Sequence, residues 1–313
     1  MKYYKLTVML ICFVLLITSV GSAQEKGPDS DKILSLLPKD TMFLIVMDIG
    51  RIIGTPLHEQ IKENEHMQEW RRSYLIKTGI DPQEELEKIV IFMCEDYKDS
   101  IFLSSGCFNK DKVIKTKEDF LDTIAKKELY QGETIYKFKK GNSEAYVLFI
   151  EDFLLETYYA YDELKSIIDI YHGKKESIKV NQTLMNNIKE AHQGNMVWGV
   201  IIIPQEVKDK GGDPIGKALS HATSILISAN AQEELSISAK FKYENEENAK
   251  NFYDLINGFI AMGKMSSAEA GMPEFVGMLL EKLTMEIKAN DVIISTSITA
   301  EYFIRMSKEM ERW

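Results

Sequence analysis

The sequence predicts an α+β protein of two similar halves, each a mainly antiparallel sheet with helices packed on one face. Three observations lead there. Leu235, Ile237, Ala239, Phe241 and Tyr243 alternate with Ser236, Ser238, Lys240 and Lys242, the period of a strand with one buried and one wet face. Ala249, Phe252, Ile256, Phe259 and Ile260 form an apolar stripe at helical spacing, as do Leu164, Ile167, Ile168 and Tyr171 ahead of Gly173, which is placed to end a helix. One series of strand, turn and helix signals also occurs twice in the same order.

Taken in chain order, residues 1–23 read as a signal peptide. Lys2 and Lys5 precede the uncharged run LTVMLICFVLLITSV, and Gly21, Ser22 and Ala23 offer small residues for cleavage following Ala23. The apolar run falls short of the roughly 20 residues a spanning helix needs, so no membrane span is expected in the mature chain. Export to the periplasm or the extracellular space follows. Residues 24–36 read as a short polar linker, 37–178 as a first α+β repeat and 179–313 as a second.

The paired signals justify that division. TMFLIVMDI at 41–49 and NMVWGVIII at 195–203 are near-continuous apolar runs, the pattern of strands covered on both faces. Gly79-Ile80-Asp81-Pro82 matches Gly211-Gly212-Asp213-Pro214, where Asp can cap a short helix opened by Pro. Strand pairs follow, 89–94 with 101–108 and 223–229 with 235–243, and then helices in which Phe120, Asp122 and Ile124 align with Phe252, Asp254 and Ile256. Asp152–Leu155 matches Asp291–Ile294, each strand leading into a helix near 161–172 and 300–311. The first half adds a helix over 56–77, capped by Thr55, and the second a Met-rich helical stretch over 258–281. Internal duplication explains this order.

The opening Leu37-Pro38-Lys39-Asp40-Thr41 ahead of an apolar strand, together with Gly79-Ile80-Asp81-Pro82, resembles a diffuse family of uncharacterised exported bacterial proteins. The resemblance implies an extracytoplasmic location and carries no known activity.

Charge narrows the function. The chain is acidic, with a net charge of −10 that becomes −12 once Lys2 and Lys5 are removed, and its basic residues are interspersed with acids, so no nucleic-acid partner is expected. Cys94 and Cys107 sit in the two arms of one hairpin. With the turn near 95–100, Cys94 faces Ile101 and Cys107 lies roughly 20 Å further along, which predicts two buried free thiols.

Catalytic motifs are scarce: the chain has no GxSxG, HExxH, CxxC or phosphate loop. FLIVMDIGR at 43–51 resembles the first phosphate loop of actin-like ATPases but reads more simply as a strand end and turn. Glu63 with His66, and Asp169 with His172, are carboxylate–histidine pairs three residues apart on helices, the candidates for a metal site if the helices meet. The methionines of 262–285 read as packing residues and Asn181-Gln182-Thr183 as a sequon. The aromatics of 146–161 alternate as strand residues do. No cofactor is implied. The expected function is a non-enzymatic binding or structural protein of the bacterial envelope, its partner another envelope protein or a small ligand between the halves. The alternative is an extracytoplasmic hydrolase with a carboxylate or metal site that leaves no local motif.

Overall fold

The computed structural model describes residues 30–94, 99–141, 143–204, 214–266 and 274–310. The proposed signal peptide and its cleavage point lie outside these residues, as do Gly211, Asp213 and Met272.

The first half contributes β1 (Thr41–Asp48), β2 (Leu86–Cys94), β3 (Ile101–Gly106), β4 (Lys126–Tyr130), β5 (Glu133–Lys140), β6 (Ser143–Ile150) and β7 (Phe153–Thr157). The second contributes β8 (Val197–Ile202), β9 (Ala222–Ala231), β10 (Glu234–Tyr243), β11 (Thr284–Lys288) and β12 (Asp291–Thr299). All twelve join one antiparallel sheet in the order β11-β12-β10-β9-β8-β1-β2-β3-β7-β6-β5-β4. Outward from β1 run β2, β3, β7 and β6; outward from β8 run β9, β10, β12 and β11, the same sequence of hairpins and crossovers. The hairpin β4–β5 extends the first half alone.

The halves meet through β1 and β8, which pair directly with Ile45 opposite Gly199. Their continuous apolarity now has its cause. Phe43, Ile45 and Met47 enter a core on one face of the sheet, while Leu44 and Val46 enter a second core on the other. Gly199 lets the strands approach, since a Cβ there would sit 2.7 Å from the Leu44 carbonyl oxygen.

Helices α1 (Ser30–Leu36), α6 (Tyr161–Tyr171) and α7 (Gln182–His192) cover the Leu44 face. The Phe43 face carries α2 (Ile49–Ile53), α3 (Pro56–Ile61), α4 (Glu65–Thr78), α5 (Lys110–Leu121) and α11 (Ala300–Met310). Helices α8 (Pro214–Leu219) and α9 (Glu246–Ser266) enclose a smaller core around Phe252 and Val292 on that same face, and α10 (Glu274–Lys282) packs on α9. In the second half the helices therefore gather on one side of β10–β12, as its alternating pattern requires.

Several local expectations change. The segment expected to be polar linker is helical from Ser30, and its Ile33, Leu34 and Leu36 are buried. The single helix over 56–77 is two, because Asn64 caps a new helix by accepting from the His66 N–H at 3.1 Å. Asp81 caps no helix. It takes a bidentate bond from Arg71, at 3.0 and 2.6 Å, and accepts from the Gln83 N–H, closing a turn instead. Phe120 and Phe252 are not equivalent: Phe120 lies in the last turn of α5, with Asp122 left-handed at its C-cap, whereas Phe252 is buried early in α9. The caps Asn109 and Asn245 bond their helices alike, and the buried pair they align is Val113 with Ala249.

The Leu37–Thr41 opening ties the N-terminus to the chain between the halves. Thr41 Oγ1 donates to the Pro38 carbonyl at 2.7 Å, Ile178 N–H donates to the Leu37 carbonyl at 2.7 Å, and Lys39 pairs with Glu176 at 2.8 Å. Asn181 completes the tie, capping α7 through the Leu184 N–H while its amide donates to the Lys39 carbonyl. Its sequon amide is thus engaged at both ends. Asn181→Ala removes both bonds, and a loss of about 1 kcal/mol in urea unfolding is expected.

Candidate functional site

On the Leu44 face, β8 and β9 are covered by α7 and the core ends at Leu226 of β9; beyond it α7 reaches β10 through the Glu190 and Asn187 side chains, and Ser236, Ser238, Ser295 and Ser297 stay in contact with solvent, leaving that part of the face uncovered. This uncovered area is shaped by alternation. Ser228, Ser236, Ser238, Ser295 and Ser297 project from adjacent strands on the side opposite the apolar residues of β10, and they line a depression of about 420 Å³. Small side chains leave it concave.

Its ends are built from polar contacts. At one end Asn230 donates to the Asn195 side-chain oxygen and accepts from the Met196 N–H at 3.1 Å, joining β9 to the start of β8. Toward the other, Lys240 and Lys242 of β10 reach Glu190 of α7 at 2.7 and 2.8 Å. Burial pushes the Glu190 carboxyl up, but the two ammonium groups outweigh it and hold it below the usual carboxylate range. Asp291 lies 3.9 Å from Lys240, and there burial prevails and raises the carboxyl.

The floor offers hydroxyl groups that both donate and accept: Ser238 and Ser295 bond each other at 3.1 Å, and Ser297 donates to the Glu234 carboxylate. Such a surface can hold a polar, hydroxyl-bearing molecule through several neutral hydrogen bonds.

The four metal candidates are placed apart. Glu63 lies just ahead of α4 and His66 in its first turn, on the Phe43 side, while Asp169 lies in α6 and His172 caps the C-terminus of that helix on the Leu44 side, so the sheet separates the pairs. Asp169 accepts from Tyr130 at 3.1 Å and from Gln131 and lies 3.6 Å from Lys175, and His172 lies 3.8 Å from Glu133. Among the described residues no group of three His, Cys, Asp or Glu side chains is disposed to hold a metal. Asp48 of the phosphate-loop-like segment caps α2 through the Arg51 N–H at 3.1 Å and pairs with Lys88 at 2.9 Å, a strand end and turn.

Sequence reasoning missed the depression because serines on a wet strand face carry no motif. The signal that could have found it is the small size of every outward residue at 236, 238, 295 and 297, where longer polar side chains are the norm on an exposed sheet face.

No family model matches the chain, and no curated protein matches it. Solved structures do. The fold resembles that of TP0453. Crystal form III of TP0453 is 11% identical, covers 88% of this chain and 97% of its own, and has a TM-score of 0.50. Crystal form I is 12% identical, with 88% and 96% covered and a TM-score of 0.46. At this identity the likeness to TP0453 concerns architecture alone, and it extends over both halves.

The cysteines depart from expectation. Ile101 pairs with Phe92, so the hairpin register differs from the symmetric one; Cys94 instead lies beside Thr41 of β1, its sulfur 3.7 Å from Thr41 Oγ1. Both thiols are free, but only Cys94 is buried. In the native state a thiol reagent should label Cys107 alone, and denaturant should be needed for Cys94; equal labelling rates would contradict the placement.

Proposed function

We propose that the chain is an exported, non-enzymatic binding protein of the bacterial envelope whose two halves arose by duplication, here assigned to 37–178 and 179–313. One observation carries the binding reading: the uncovered, serine-lined depression of the second half, concave where a sheet face that only meets water has no need to be. The ligand class that fits is a polar molecule bearing several hydroxyl or amide groups. The N-terminal pattern of Lys2, Lys5, the apolar run and Ala23 supports export, as does the resemblance of the Leu37–Thr41 opening to exported bacterial proteins.

The alternative hydrolase has one specific observation in its favour, the hydroxyl of Ser297 donating to the Glu234 carboxylate, a pairing that can draw a proton from a nucleophile. A panel of neutral oligosaccharides and short amide-rich peptides, measured by thermal shift on the secreted protein, separates the readings. Stabilisation lost in Ser238→Leu and Ser295→Leu supports binding at this face. Stabilisation untouched by either variant removes the site, and cleavage of a bound probe that Glu234→Gln abolishes favours the hydrolase. Mass spectrometry of the secreted protein should find Gln24 as its first residue, and a chain retaining Met1 in membranes would overturn export.

A further inference from the structure

The sheet ends on the first-half side at β4, whose residues 126–129 are all exposed and whose outer edge no other strand pairs among the described residues. An open edge presents a row of unpaired backbone groups, which proteins generally cover or interrupt. This one has a defined chemistry. Gln131 and Gly132 both adopt positive φ, 50° and 94°, and close a two-residue turn between Tyr130 and Glu133. In such a hairpin the residues flanking the turn form a hydrogen-bonded pair, so Tyr130, Glu128 and Lys126 aim their backbone groups at β5 while Leu129 and Lys127 aim theirs outward.

The strand pair at this edge is locally basic. Residues 126–140 carry five lysines and two glutamates in a chain of net charge −10. Lys137 and Lys139 are taken up by Glu144, at 2.7 and 3.5 Å. Lys126, Lys127 and Lys140 have no carboxylate partner among the described residues, and Lys127 lies only over the Tyr136 ring, 5.6 Å from its centroid. Beside them stand three apolar side chains that the fold leaves in water: Phe120 at the end of α5, Ile124 in the connection, and Leu129 on β4, exposed by 46, 82 and 73%. Leu129 shares the face of Lys127 that α5 helps to cover. The opposite edge differs, for on β11 Lys288 is paired with Glu286 at 2.7 Å and α9 packs against the strand.

We infer that β4 is a docking edge for an extended, acidic polypeptide segment of a partner protein, which adds as a further strand. Its backbone bonds the outward groups of Lys127 and Leu129, its apolar side chains rest on Leu129, Ile124 and Phe120, and its carboxylates meet Lys126, Lys127 and Lys140. This inference is independent of the serine-lined depression at the far end of the sheet.

The probe is a short synthetic peptide of repeated Val-Val-Glu-Glu, which sets valine and glutamate in turn on both faces of the added strand, blocked at both ends and titrated against the mature chain, with a lysine-for-glutamate peptide as control. The acidic peptide should bind and the basic one should not. Lys127→Pro deletes an outward N–H without touching the ladder to β5 and should weaken binding at least tenfold. Should that variant unfold, Leu129→Glu, which places a carboxylate on the exposed edge, should do the same. Equal binding of both peptides, or acidic-peptide affinity unchanged in the folded variants, overturns the proposal. A concentration-dependent dimer that Lys127→Pro abolishes would assign the edge to a second copy of the chain and overturn it as well.

Discussion

Gly106→Ala is expected to cost roughly 3 kcal/mol or more, among the largest effects available to a single methyl group. Gly106 ends β3 opposite Leu86, where the register of β2 slips between Leu86 and Lys88. The slip brings the Glu85 carbonyl inward to accept from the Cys107 N–H at 2.9 Å, and a Cβ on residue 106 would meet that oxygen at 1.9 Å. No rotamer relieves such a contact, because both partners are backbone. The φ of 157° adds a conformation that side chains disfavour. Either the bulge is lost, with its hydrogen bond, or β3 moves away from β2. Urea unfolding should show the midpoint falling with little change in slope. A midpoint within about 0.5 kcal/mol of the parent would mean the bulge is soft and the close approach unimportant.

The second large effect depends on pH. His58 lies in α3 with its side chain wholly buried, and neither ring nitrogen finds a hydrogen-bond partner. Burial lowers its pKa from 6.5 to about 4, against a smaller opposing pull from Glu59, whose carboxylate lies 3.7 Å away. The folded protein therefore holds this imidazole neutral where the unfolded chain would protonate it. Stability is complete above pH 6.5, declines as pH falls through the window from 6.5 to about 4, and levels off below, a total of about 3 kcal/mol. His58→Leu, similar in volume and unable to titrate, should lack this decline while retaining the steeper acid loss of the carboxylates. Parallel stability curves for parent and variant between pH 6.5 and 4 would show that His58 does not govern the transition.

Much of this architecture is written in local periodicity. The apolar runs that became β1 and β8, the alternation of β10, and the stripes of α6 and α9 each report which faces are buried, and burial is what periodicity measures. What lies between such segments is less legible. The hairpin β4–β5 escaped because lysines dominate it and its turn is Gln-Gly instead of Asn-Gly, so neither apolar pattern nor turn residue marked it. The break at Asn64 escaped because a helix cap is a polar residue like any other until its neighbours turn. Aligning Phe120 with Phe252 failed for a related reason: aromatic identity was matched where the helix starts at Asn109 and Asn245 set the register. The candidate site was less legible still. Serines at 228, 236, 238, 295 and 297 come together only through the pairing of β9, β10 and β12, and sequence spacing does not encode which strands will be neighbours.

The central position of β1 also sets an order of events as the chain is made. Its partner β2 arrives within the next fifty residues, but its other partner, β8, begins only at Val197. Until then a strand with a near-continuous apolar run has one edge without a mate, and every strand already laid down beyond β2 adds to a sheet with its middle exposed. Contacts of such sequence separation close slowly. A chain cut short before β8 keeps that edge permanently, and the fragment ending near residue 178 should associate with itself or with a supplied β8-containing fragment, a liability that the intact molecule removes by burying the seam at its centre.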